Sequence, residues 1–137
     1  MITAVDTNVL LDVFTANPDF GTRSRAALLR CQDEGALVVC DVVLAELTAA
    51  FGTEDAVTAA LRAVGATYSI SQTVAAIRAG QAWRTYRAGG GPRSRVIADF
   101  LVAAHAREHA DRLLTRDRGF VRTHFADLSV LDPADSD

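Results

Sequence analysis

The chain is predicted to fold as an α/β domain, with a parallel sheet of about five strands and helices on both faces. Three observations carry that expectation. Short apolar runs recur along the chain, each bounded by glycine or a polar cap. Longer helical patterns separate these runs, so the connections are crossovers rather than hairpins, and crossovers imply parallel pairing. At 137 residues, 50% of them hydrophobic, the chain fits one globular domain with a proper core, read as a single unit over residues 1–137.

The elements follow in order. The run ITAVD reads as a strand, and a helix from about Thr7 to Thr15 follows it. After the turn NPDFG a second helix runs to Glu34, where Gly35 is expected to close it in a left-handed conformation. ALVVC is the second strand. Asp41 starts the helix VVLAELTAAF, which Gly52 ends. Thr53, with Glu54 and Asp55 in the first turn, starts the next helix, which stops at Gly65. ATYSI is the third strand, and Ser71 is expected to cap a long helix to about Ala88. GGGP at 89–92 is a loop, RVIADFLVAAHAREHA a helix and DRLLT a strand. A short turn and helix through RDRGFVRTHFA lead to the last strand, LSVL. In such sheets ligands gather at the carboxyl ends of the strands.

Bulk properties narrow the function. The formal net charge is −3, so no overall positive field draws in a polyanion, which would need local arginines or a bound cation. All 14 basic residues are arginine, and a Walker A loop or a Schiff base, both of which need lysine, are excluded. Cys31 and Cys40 lack metal-ligand spacing and read as reduced thiols. No apolar stretch approaches the ~18 residues of a membrane span, and no leader pattern opens the chain, so the expected location is cytoplasmic, away from membranes.

Four acids occupy unusual places. Asp99 is the only charge between Val96 and Ala104 in a run apolar on every helical face, and a buried carboxylate needs a cation beside it. Glu46 shares a helical face with Val43 and Ala50 and adjoins Leu47, which puts it on or beside the stripe facing the sheet. Asp6 closes ITAV, and Asp117 follows RLLT by two residues. Two acids at strand ends and two on core-facing helices can converge at one sheet edge. An all-oxygen set without cysteine suits a hard cation, magnesium or manganese. The alternative for each acid is a helix cap or an arginine pair.

AVDTNVLLD, VVLAEL, RVIADFLVAAHA and ADRLLTRDRGF, in that order over nearly the whole chain, resemble the four motif blocks of PIN-domain ribonucleases, specifically VapC toxins of type II toxin–antitoxin pairs. The resemblance implies a three-layer α/β/α sandwich and a magnesium-dependent endoribonuclease, with manganese as an alternative ion. It also implies a homodimer and a VapB-like antitoxin partner. By position it assigns the catalytic, metal-holding acids to Asp6, Glu46, Asp99 and Asp117, and supporting polar roles to Thr7, Asn8 and Thr115. Where some relatives carry a further acid after the fourth, this chain has Arg118 and Gly119, which removes a ligand from any second metal.

Arg93, Arg95, Arg116 and Arg118 lie near two of the acids in sequence and are candidates for RNA contact, the first two following three glycines. They could equally neutralise the acids. HAREH at 105–109 matches the H-x-x-E-H zinc pattern, but few residues follow it and it reads as the polar end of a helix. A phosphoacceptor receiver domain would need a lysine that is absent. A PIN-like scaffold that binds RNA or protein without cutting remains the alternative. Trp83 and Tyr86 are expected either in the core or on a self-association surface.

Overall fold

The computed structural model describes residues 1–92 and 94–135. In chain order the elements are β1 (Ile2–Val5), α1 (Thr7–Phe14), α2 (Gly21–Glu34), β2 (Ala36–Val39), α3 (Asp41–Phe51) and α4 (Glu54–Val64). Then come β3 (Ala66–Tyr68), α5 (Thr73–Ala88), α6 (Ile97–His109), β4 (Arg112–Leu114), α7 (Arg118–His124) and β5 (Val130–Leu131). All strand pairs are parallel, in the order β3-β2-β1-β4-β5.

The middle of the sheet is buried on both faces. Thr3, Ala4 and Val5 of β1 and all three residues of β4 are buried in succession. Successive side chains on a strand point to opposite faces, so helices must cover both. The result is the three-layer α/β/α sandwich, its core filled by Leu10, Leu37, Leu47, Phe100, Leu113 and Leu114. Phe100 of α6 gathers Trp83, Tyr86, Phe120 and His124 around its ring at 5.0–5.7 Å between centroids. Tyr86 is buried and Trp83 half-buried, so this pair belongs mainly to the core.

The strand order decides where a crevice opens. From β1 the chain steps outward through β2 to β3, then crosses back to lay β4 on the other side of β1. Connections therefore diverge above the carboxyl ends of β1 and β4, which is where α/β sheets leave a cleft.

Two caps differ from expectation. Gly52 and Gly65 do adopt the left-handed conformation after α3 and α4, at φ 86° and 69°. Gly35 does not, at φ 157° and ψ −149°. Glycine is required there because a Cβ would overlap the Met1 carbonyl, which accepts from Ala36 N at 2.9 Å as β2 begins. Ser71 does not cap α5. Its Oγ and N both donate to Asp41 Oδ1, at 2.6 and 3.2 Å, and Gln72 occupies the cap position with its N–H donated to His109 Nε2 at 3.1 Å.

Candidate active site

β1 ends at Val5, and α1 starts at Thr7, so Asp6 is both the strand terminus and the helix cap. Its N–H donates to Leu114 O at 2.9 Å, continuing the β1–β4 pairing. Its Oδ1 accepts from Thr7 N, the first N–H of α1, at 2.7 Å. Its Oδ2 accepts from Thr115 Oγ1 at 2.7 Å across the sheet edge. Burial nevertheless pushes Asp6 up to about 6, against those two hydrogen bonds, and the negative charges of Glu46 and Asp117 push the same way. Burial thus outweighs what these hydrogen bonds offset.

Thr115 is fully buried at the end of β4 and links three segments. Besides donating to Asp6, its hydroxyl accepts from Asp117 N at 3.0 Å and lies 3.5 Å from Asn8 Nδ2. Asn8 Oδ1 accepts from Arg116 N at 3.3 Å. Thr7, also buried, donates from Oγ1 to Glu46 Oε1 at 2.7 Å and so ties the first turn of α1 to α3.

The four acids line one cavity of about 280 Å³ together with Thr7 and Asn8, walled by apolar residues such as Val102 and Phe120. The burial expected of two of them is not what the fold gives. Asp99 sits in the first turn of α6, half-buried, where its Oδ2 accepts from Val96 N at 3.0 Å, so the helix N-terminus rather than a buried cation meets its charge. Glu46 is exposed on the rim, because the stripe of α3 that faces inward is Val43 and Leu47, while Ala50 is also exposed. The charge at each of these positions is thus half-solvated or helix-capped, which lowers the cost of keeping it.

Asp117 is the acid with a cationic partner. Nη1 and Nη2 of Arg95 donate to its carboxylate, the latter at 2.8 Å, and the same guanidinium lies 4.6 Å from the centre of the Phe120 ring. The bond to Asp117 pushes Arg95 up from its ordinary value. With Asp117 turned to Arg95, Asp99 to its own helix and Glu46 to Thr7, no three acid, histidine or cysteine side chains among the described residues stand close enough to hold an ion. The donor set still fits a hard divalent cation: four carboxylates around one cavity, all oxygen ligands, and hydroxyls that orient two of them.

Of the arginines singled out, Arg95 meets this cavity through its bond to Asp117. Arg116 turns away, donating from Nε and Nη2 to Asp12 at 2.7 and 3.2 Å with its guanidinium 4.0 Å from the Phe20 ring centre. Arg118 pairs with Asp135. Arg93 lies outside the described residues.

Asp12 is a participant that the sequence reasoning passed over. It is buried at 3% exposure, one turn after Asn8 on α1, and also accepts from Ser24 Oγ at 2.8 Å. Through Arg116 it holds the strand-end loop that carries Thr115 and Asp117. Its signal was available: a lone charge in VLLDVF is the same anomaly as Asp99 in its apolar run. The HAREH segment is structural. His105 is buried with a ring nitrogen 3.0 Å from Ser69 Oγ, His109 accepts from Gln72 N, and Glu108 pairs with Arg107 and Arg78.

Comparison with known proteins identifies the fold. The family described as PIN domain matches residues 3–126. Among solved structures, the chain superposes on VapBC2 from Rickettsia felis, bound to a DNA fragment from its promoter, at TM-score 0.74 and 20% identity, covering 96% of this chain and 98% of that one. It superposes on VapBC-1 from nontypeable Haemophilus influenzae at 0.71 and 20% identity, covering 98% and 100%. A toxin–antitoxin complex from Klebsiella pneumoniae gives 0.67 and 17% identity, covering 98% and 99%. At such identities the likeness is one of fold. No curated protein matched the chain.

Proposed function

The chain belongs to the PIN-domain family, whose members are nucleases, and from that premise we propose that it is a magnesium-dependent endoribonuclease toxin restrained by a VapB-like antitoxin. The observation that carries the reading is the convergence of Asp6, Glu46, Asp99 and Asp117, from four different elements, on one cavity at the crevice between β1 and β4. The fold shared with VapBC chains and a toxin–antitoxin complex supports the partner. Residues 1–137 act as one domain in this reading, and the active species is a homodimer.

Asp6, Glu46, Asp99 and Asp117 would hold the ion, magnesium or alternatively manganese, which when bound supplies Lewis acidity and an activated water for phosphodiester hydrolysis. The rest of the chemistry belongs to the chain. Thr115 and Thr7 N–H fix the two oxygens of Asp6, and Thr7 Oγ1 fixes Glu46, so these carboxylates keep one orientation as charge builds on the substrate. Arg95 is placed to exchange Asp117 for a phosphate oxygen, since a guanidinium grips either in the same two-pronged way. The apolar part of the wall lowers the local dielectric and so strengthens each of these interactions.

The second reading is a PIN-like scaffold that binds without cutting, favoured by the hold of Arg95 on one of the acids. Cleavage of an end-labelled RNA pool by the antitoxin-free chain in magnesium, against chelator and Asp6→Asn controls, separates the two. Discrete cuts in the wild type alone support the nuclease. Folded protein that leaves every RNA intact supports the scaffold.

A further inference from the structure

Beside the acid cavity lies a second cleft of about 510 Å³ that the chemistry above does not use, lined by Trp83, Tyr86, Arg87, Pro92, Arg95 and Val96. Its shape follows from the glycine loop. A Cβ at Gly91 would overlap the Tyr86 ring, and the Tyr86 hydroxyl donates to the Pro92 carbonyl, so the loop folds down onto that ring as a wall. Trp83 stacks on Tyr86 at 5.8 Å between centroids and 16° between planes, and the Arg87 guanidinium sits 5.6 Å from the Trp83 ring centre.

Two features say what fits. Among the described residues, the lining offers the half-buried Trp83 ring and two guanidinium groups but no acid, whereas the adjoining cavity is lined by four. The two spaces are also neighbours: Arg95 lines the cleft while gripping Asp117, and Val96 lines it while its N–H donates to Asp99. A ligand spanning both must be anionic where it meets Arg95 and any bound cation, and planar where it meets Trp83 and Arg87.

We propose that this cleft is a stacking subsite for one base of an unpaired RNA segment, the base next to the phosphate held at the acids, with Trp83 and Arg87 as its platform. The placing of that phosphate rests on the nuclease reading; the stacking chemistry does not. Aromatic rings and guanidinium planes accept any base, so the subsite selects unpaired RNA over duplex rather than one sequence over another.

Trp83 is the only tryptophan in the chain, so its emission reports the subsite directly. A fluorescein-labelled oligoadenylate and an abasic oligoribonucleotide of equal length are titrated against the full chain in calcium, in place of magnesium. The expected result is saturable quenching of Trp83 by the base-bearing oligomer only, bound about 5- to 100-fold more tightly than the abasic one. Anisotropy should show that Trp83→Leu removes most of that preference. Arg87→Ala, at an exposed position, should reduce it and guards against a folding defect in the first variant.

Equal binding and equal quenching by both oligomers, or a preference untouched by both variants, overturns the subsite. Magnesium-dependent RNA cleavage by the wild type, run alongside, keeps the two ideas apart. Cleavage without base preference sinks the subsite and leaves the nuclease reading intact. Base preference without cleavage sinks the nuclease reading and leaves the subsite. A cleft whose variants alter only antitoxin binding is a protein interface, and the proposal fails.

Discussion

Asp6 shows how one residue can be costly to the fold and central to the proposed site. Its pKa is raised to about 6 from 3.8, chiefly by burial, so the folded chain favours its neutral form. The stability this contributes is fully present below pH 3.8 and is lost as pH rises through about 6. At pH 7.5, without metal, folding therefore carries the cost of an ionised carboxylate, and Asp6→Asn should raise stability by up to about 3 kcal/mol. Near pH 4 the difference should vanish. Thermal melts in chelator at the two pH values check this; a variant less stable than wild type at pH 7.5 would mean that its hydrogen bonds outweigh its burial. Thr115 acts one step out. Thr115→Val keeps the volume but removes the donor to Asp6 and the acceptor for Asp117 N, and should cost about 10- to 100-fold in metal affinity, measured by calorimetry.

At the scale of elements, the junctions carry most of the information. Gly35 joins α2 to β2 where the backbone passes against Met1, so Gly35→Ala must displace the start of β1 or β2 and should cost about 2–3 kcal/mol in urea melts. α6 carries opposite demands at its two ends. Its first turn receives Asp99 as a cap, and its last turns bury His105 against Ser69 of the loop after β3. Burial, aided by His109, lowers His105 to about 4 from 6.5. A lowered histidine contributes stability that is present above pH 6.5 and lost as pH falls through about 4. The chain should thus lose stability over that window, and His105→Gln, which keeps a bond to Ser69 and cannot titrate, should flatten the loss. Asp6 works in the opposite sense over the same range, so the two effects are best resolved one variant at a time.

The whole molecule decides that the acids meet. The sheet order places β1 beside β4, and that adjacency brings Asp6 next to Thr115 and Asp117 although the chain between them spans two other strands and six helices. Were β4 added outside β3, the same residues would lie at opposite edges. The proposed homodimer belongs to this scale as well. Light scattering at micromolar concentration should return twice the 14.6 kDa chain mass, and a single-chain mass removes the claim.

The order and kind of the elements, and the standing of Asp6 and Asp117 at strand ends, were legible in the sequence because they follow from local rules: side-chain period, capping residues and glycines. Asp12 was legible by the same rules, as a lone charge in an apolar helical run. What tertiary structure alone decided is which charge meets which. Arg95 turns to Asp117, Arg116 to Asp12 rather than to the cavity, and Glu46 comes to rest on a rim instead of the core stripe. Those outcomes depend on distances between segments remote in the chain, and a Coulomb interaction is set by separation in space, which no local pattern encodes.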